Sequence, residues 1–196
     1  MGKGRIEAFS DGVFAVIITI MVLELKVPAG TKLSDLQAVL PTALSYVLSF
    51  VYIGIYWNNH HHLFHAVKSV RGPILWANLH LLFWLSLTPF TTAWMGQHPL
   101  ATAPVALYGA DLFMNAVAYS ILVSLLLRHE GPDSVLAKAI GRDLKGWSSL
   151  VLYAIGVAAA FVLPAVSIGI YVAVALVWLV PDTRIERALK ASDPVR

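Results

Sequence analysis

A carboxylate stands inside an apolar run near the start of this chain. Asp11, flanked by Arg5 and Ser10, belongs to Arg5-Ile-Glu-Ala-Phe-Ser-Asp-Gly-Val-Phe-Ala-Val-Ile-Ile-Thr-Ile-Met-Val-Leu-Glu24. A charged side chain at the centre of a membrane helix costs roughly 2.5–3.5 kcal/mol on insertion scales, and less near an end. Such residues face a bundle interior or water, where they bind ions, relay protons or hold helices together. Two further polar groups are available to meet Asp11: Trp57, Asn58, His60, His61 and His62, then Trp76, Asn78 and His80. A ring of donors and acceptors from three segments would satisfy it and clamp them.

The histidines also raise a metal question. His61 and His65 lie one helical turn apart, a spacing that can ligate zinc. His60, His61 and His62 point in three directions, however, and the His-Glu-x-x-His pattern is missing, so no metal site is expected. Asp111, with Asn115 one turn later, is the deepest acidic residue and reads as a paired or water-facing structural carboxylate. Glu24, at the far end of the first apolar run, would concentrate cations weakly in a mouth. No Ser-His-Asp set, P-loop or glycine-rich nucleotide motif is present, nor the Thr-Val-Gly-Tyr-Gly potassium filter sequence. The expectation is a protein that is not an enzyme and carries no cofactor.

Composition defines the solvent of the elements that must position these groups. Of 196 residues, 58% are hydrophobic and 13% charged, against about 25% charged in soluble domains; mean hydropathy is +0.73. This is an all-α integral membrane protein in a lipid bilayer. The isoelectric point near 9.2 does not imply nucleic acid, because the basic residues lie in short links and at the termini, not on a face interleaved with aromatics. The chain has no cysteine. The first apolar run is too long for a cleaved signal and lacks a small-residue cleavage site, so it reads as a retained span.

Six transmembrane helices are expected: about 6–27, 38–63, 73–95 and 101–127, then two of ~17 residues within 147–180, divided near Pro164. Pro89-Phe-Thr-Thr would kink or end the third, its threonines re-satisfying freed backbone groups. With six spans, every Lys and Arg among the 14 except Lys26 and Lys32 falls on one side. Reading 147–180 as one kinked helix would spread the same residues 8 against 6. The positive-inside rule therefore predicts six spans with both termini cytoplasmic. Residues 1–181 form one domain and 182–196 a short tail, in which Ile185 and Leu189 sit one turn apart.

On the first span, Val16, Ile20, Leu23 and Val27 make a single stripe, bordered by Thr19, whose hydroxyl can face the same axis or bond back to a carbonyl one turn earlier. Periodicity alone allows two readings: a packing stripe, or a pore wall whose apolar rings constrict and dewet the passage.

Arg5-x3-Phe9-Ser10-Asp11, opening a span that continues Gly-Val-Phe-Ala-Val-Ile-Ile-Thr-Ile, resembles the transmembrane protein 175 potassium channel family, in its prokaryotic branch with one six-helix repeat per subunit. The likeness extends through the Trp57-to-Phe64 histidine segment and Trp76-x-Asn78-Leu to Pro89-Phe90. It implies a homotetrameric channel for monovalent cations in the prokaryotic plasma membrane, with the first helix of each subunit lining a central pore. Val16, Ile20 and Leu23 fall at the family's apolar constriction positions and Thr19 at a threonine near its selective zone. Arg5, Ser10 and Asp11 would carry an inter-helix polar network with Trp57, His61 and Asn78. Valine at the first ring is smaller than the residue common in relatives, which would move the tightest point to Ile20 or Leu23. The expected function is passive, modestly potassium-selective permeation without a carbonyl filter. The alternative is a proton- or cation-coupled transporter that uses the intramembrane Asp and His residues.

Overall fold

A computed structural model describes residues 3–141 and 143–179. Arg142 and the tail 182–196, with its stripe of Ile185 and Leu189, lie outside the described residues. Within them the regular structure is helical: α1 Lys3–Leu23, a 3₁₀ turn Leu33–Ala38, α2 Leu40–His65, α3 Gly72–Gln97, α4 Thr102–Glu130, α5 Val135–Ile140, α6 Leu144–Ala160 and α7 Pro164–Leu179. The first four long helices, α1 to α4, are long and apolar enough to cross a membrane, whereas α6 and α7 are shorter apolar helices of 17 and 16 residues.

The chain signals its helix ends by local chemistry. Proline falls in the first turn of α2 (Pro41) and of α3 (Pro73), where the missing N–H has no intrahelical partner to lose. The Ser134 hydroxyl accepts from Ala137 N–H at 3.1 Å to open α5, and Asp143 accepts from Gly146 N–H at 2.9 Å to open α6. Gly131 closes α4 at φ 88°, a conformation that side chains with a Cβ resist. Lys3 donates its ammonium to the Phe64, His65 and Val67 carbonyls at 3.1–3.3 Å, so the amino terminus of α1 caps the carboxyl end of α2.

Three local expectations change. α1 ends at Leu23, four residues early, so Val27 lies beyond it. Pro89 does not end α3, which continues to Gln97; the proline is buried in the bundle and the Thr91 hydroxyl donates to the Thr88 carbonyl at 3.1 Å, the kind of support that lets a membrane helix pass a proline. The polar link after α4 contains the short helix α5, whose Leu136 and Ala139 are buried against the bundle. A six-residue helix is too brief for periodicity to reveal.

α4 is the axis of the subunit. Its Ala118, Leu122 and Leu126 join one apolar core with Phe14 and Ile17 of α1, Leu63 of α2 and Leu81 of α3. Its Val105, Tyr108 and Leu112 join a second core with Tyr52, Met95, Tyr153 and Tyr171. α1 packs on α2 and α3 at one edge. Hydroxyls tie the second core: Ser49 lies 2.6 Å from the Thr92 hydroxyl and 2.9 Å from that of Tyr108, and Tyr52 donates to the Tyr171 carbonyl at 2.5 Å. In lipid the surroundings of a helix are already apolar, so packing and such bonds are what hold helices together.

Candidate ion pathway and its polar anchor

α1 has two faces of different fate. Ile6, Ser10, Phe14, Ile17 and Met21 are buried against the subunit. Val16, Ile20 and Leu23 are uncovered, exposed by 55%, 44% and 79%. Thr19 is exposed beside them, and its hydroxyl bonds back to the Val16 carbonyl at 2.9 Å. Of the two orientations open to that hydroxyl, the helix takes the one that satisfies its own backbone. The stripe is thus no seam within one subunit. It borders a groove between α1 and α3, walled by Phe9, Val13 and Val16 on one side and Pro89, Phe90 and Trp94 on the other, with Glu24 at one end.

The buried face carries the anchor. Asn78 donates to the Ser10 hydroxyl at 3.0 Å and accepts from His60 Nε2 at 2.7 Å, and all three side chains are within 2% of full burial. Because the amide oxygen accepts, the His60 proton sits on Nε2. The ring is fixed from two sides, edge-on to Phe14 at 5.6 Å and stacked on Phe64 at 4.5 Å. One short chain of bonds therefore joins α1, α3 and α2. A second tie is more open: Trp57 Nε1 donates to Asp11 Oδ1 at 3.0 Å at the exposed edge of the same helices.

Of the six residues expected in this network, Ser10, Asp11, Trp57 and Asn78 make inter-helix bonds. His61 does not: it is exposed, its ring stacked between Trp57 (6.3 Å) and His65 (6.0 Å), and the buried partner of Asn78 is His60. In a run of three histidines only the phase of α2 against α1 and α3 selects the one turned inward. Arg5 is exposed and makes no hydrogen bond among the described residues. His80 accepts from Trp84 on its own helix at 3.0 Å, and Trp76 is exposed. Sequence reasoning missed the tyrosines and Ser49 of the second core. Their signal was present, as hydroxyl side chains spaced along otherwise apolar spans, but no spacing told which would meet.

These features define a multi-helix membrane protein whose first span is pinned by polar bonds on one face and bare and apolar on the other. Comparison with known proteins says which. A family profile described as the endosomal/lysosomal potassium channel TMEM175 matches residues 5–89, the part that includes most of α1, the histidine segment and Asn78. A potassium channel of Chryseobacterium sp. (strain P1-3) is 57% identical over 190 residues, 97% of this chain and 99% of the relative. A potassium channel of Chamaesiphon minutus (strain ATCC 27169 / PCC 6605) is 36% identical over 149 residues, 71% of each chain. The crystal structure of a lysosomal potassium-selective channel TMEM175 homolog from Chamaesiphon minutus superposes with a TM-score of 0.76 at 29% identity, covering 92% of this chain and 97% of that one. The chain belongs to the TMEM175 potassium channel family, as a prokaryotic member.

Proposed function

We propose that this protein is a passive, modestly potassium-selective cation channel of the prokaryotic plasma membrane. Four copies assemble around a central axis, each with six spans and both termini in the cytoplasm, and α1 of each copy lines the pore. One observation carries this reading: Val16, Ile20 and Leu23 are bare in the subunit while the opposite face of the same helix is buried and polar-anchored. A single helix cannot enclose a passage, and cyclic symmetry supplies the remaining walls.

The rings formed by these side chains offer no oxygen to replace lost water. An ion must shed or squeeze its hydration shell there, and sodium holds its shell more tightly than potassium. Dehydration alone then favours potassium, to a degree below that of a carbonyl-lined filter. Thr19 gives its hydroxyl hydrogen to the Val16 carbonyl of its own helix, and Glu24 at the groove end draws cations toward the mouth. The Ser10–Asn78–His60 chain holds the rotation of α1 and so the phase of the rings. Planar-bilayer recording of the purified protein, with potassium facing sodium, tests the proposal. Unitary ohmic currents with a reversal potential favouring potassium are expected, and saturable flux without unitary events would overturn it.

A further inference from the structure

An open groove runs along the seam of α4 and α6. Its α4 wall is Phe113, Val117, Ile121 and Leu125, one residue per turn, and its α6 wall is Trp147, Val151 and Ala154 at the same pitch. Ile121 and Val151 are 41% and 57% exposed. The bare stripe of α1 borders a different groove, against α3, and the two share no lining residue.

At one end the lining changes from apolar to polar. Arg128 is the only charged side chain in the groove. It is exposed and has no hydrogen-bond or ion-pair partner among the described residues. Its neighbours are engaged elsewhere: Glu130 accepts from the Lys68 backbone N–H at 3.1 Å, and the His129 ring lies 3.0 Å from the Ser69 hydroxyl. One turn inside Arg128, Ser124 lacks the bond to its own helix that Ser120 makes with the Ala116 carbonyl at 2.8 Å. Trp147, opposite on α6 and 70% exposed, leaves its indole N–H unbonded among the described residues.

Depth identifies the occupant. The stretch from Phe113 to Arg128 rises about 22 Å at helical pitch, and half a bilayer with its headgroups is about 20–22 Å thick. The groove thus runs through one leaflet, hydrocarbon first and headgroup last, with Trp147 at the level that interfacial tryptophans favour. A guanidinium suits phosphate oxygens, and no carboxylate in the lining would meet a choline or ethanolamine ammonium. We infer that this groove binds one anionic phospholipid, its phosphate on Arg128 and one acyl chain along α4 and α6. Ser124 and Trp147 donate to its phosphate or ester oxygens. The lipid braces α6, a helix of only 17 residues, against α4. Because the groove is separate from the proposed pore, the site holds whether or not the channel reading does.

Fluorescence quenching in vesicles reads the occupant. The chain has no cysteine, so Val151→Cys carries a single fluorophore into the groove of the full-length oligomer. The vesicles are phosphatidylcholine with a minority of phosphatidylglycerol, and one lipid or the other bears bromine on its acyl chains. Per mole of brominated lipid, phosphatidylglycerol should quench about fivefold more strongly, the preference that one arginine beside an anionic headgroup supplies. Arg128→Gln should erase that preference and leave quenching by phosphatidylcholine in place. The same fluorophore at Val172→Cys, an exposed apolar position on α7, should show no preference. Equal quenching by the two lipids at Val151→Cys means ordinary annular contact and overturns the inference. An equal preference at Val172→Cys, or one that survives Arg128→Gln, does the same. Quenching by neither lipid would mean that another copy of the chain covers the groove, and that also overturns it. If Arg128→Gln fails to assemble, the lipid comparison at Val151→Cys and Val172→Cys decides alone.

Discussion

A single buried amide carries most of the specificity at the base of α1. Asn78 serves Ser10 and His60 at once, so Asn78→Ala strands a buried hydroxyl and a buried ring nitrogen. Each unpaired group costs about 1–3 kcal/mol, and a drop of several degrees in melting temperature in detergent is the expected outcome. Trp57→Phe removes a bond of similar length at an exposed edge, where water replaces the lost partner. Its cost should stay below about 1 kcal/mol; a larger loss than that of Asn78→Ala would mean that the open tie, not the buried one, holds α1. On the other face of the helix, Ile20→Ala and Leu23→Ala widen the proposed rings. Both should raise unitary conductance and lower the potassium-to-sodium permeability ratio in bilayer recordings, and unchanged ratios in both would remove these side chains from the filter.

Between elements, the tightest approaches are made by glycine. At Gly96 on α3, an added Cβ would come within 2.8 Å of the Thr42 Cα on α2, and backbone cannot step aside as a flexible side chain can. Gly96→Ala should therefore part the carboxyl end of α3 from the amino end of α2 and lower the melting temperature, by about 1–3 kcal/mol of overpacking. Tyr171 of α7 fills a notch between Gly109 of α4 and Gly156 of α6, and its hydroxyl donates to the Val105 carbonyl at 3.4 Å. The short helices α6 and α7 thus owe their seat to small residues opposite a large one, the usual device where lipid provides no hydrophobic drive. Gly109→Ala would push that ring out, and differential scanning calorimetry of the oligomer should register it as a lower transition.

For the whole molecule, the question is what covers the bare stripe. The chain has no cysteine, so introduced thiols report alone. Cysteine at Val16, Ile20 or Leu23 should be modified by a water-soluble thiol reagent, with loss of current, if four stripes line a wet axis. Cysteine at Ile17, buried within the subunit at 3% exposure, should be spared. Modification only by a lipid-soluble reagent, with current intact, would turn the stripe toward lipid and dissolve the proposed pore. Oligomer mass in detergent checks the same assembly independently.

Sequence alone determined the solvent, the helical class and the family resemblance. An apolar run of bilayer length with few charges has one stable conformation in hydrocarbon, because every backbone polar group must bond within its own segment. It also singled out the first span, since Asp11 beside Ser10 in an apolar run demands partners. Which partners was decided in three dimensions. His60, not His61, meets Asn78, because a rotation of α2 by one residue changes which imidazole faces the bundle, and no one-helix pattern contains that phase. Pro89 continues a helix that local propensity would end, and Asp111 meets two threonines of another helix that only the fold brings within 3.1 Å. Periodicity describes what one helix presents, whereas contacts depend on how several helices are turned toward each other, and packing sets that turn.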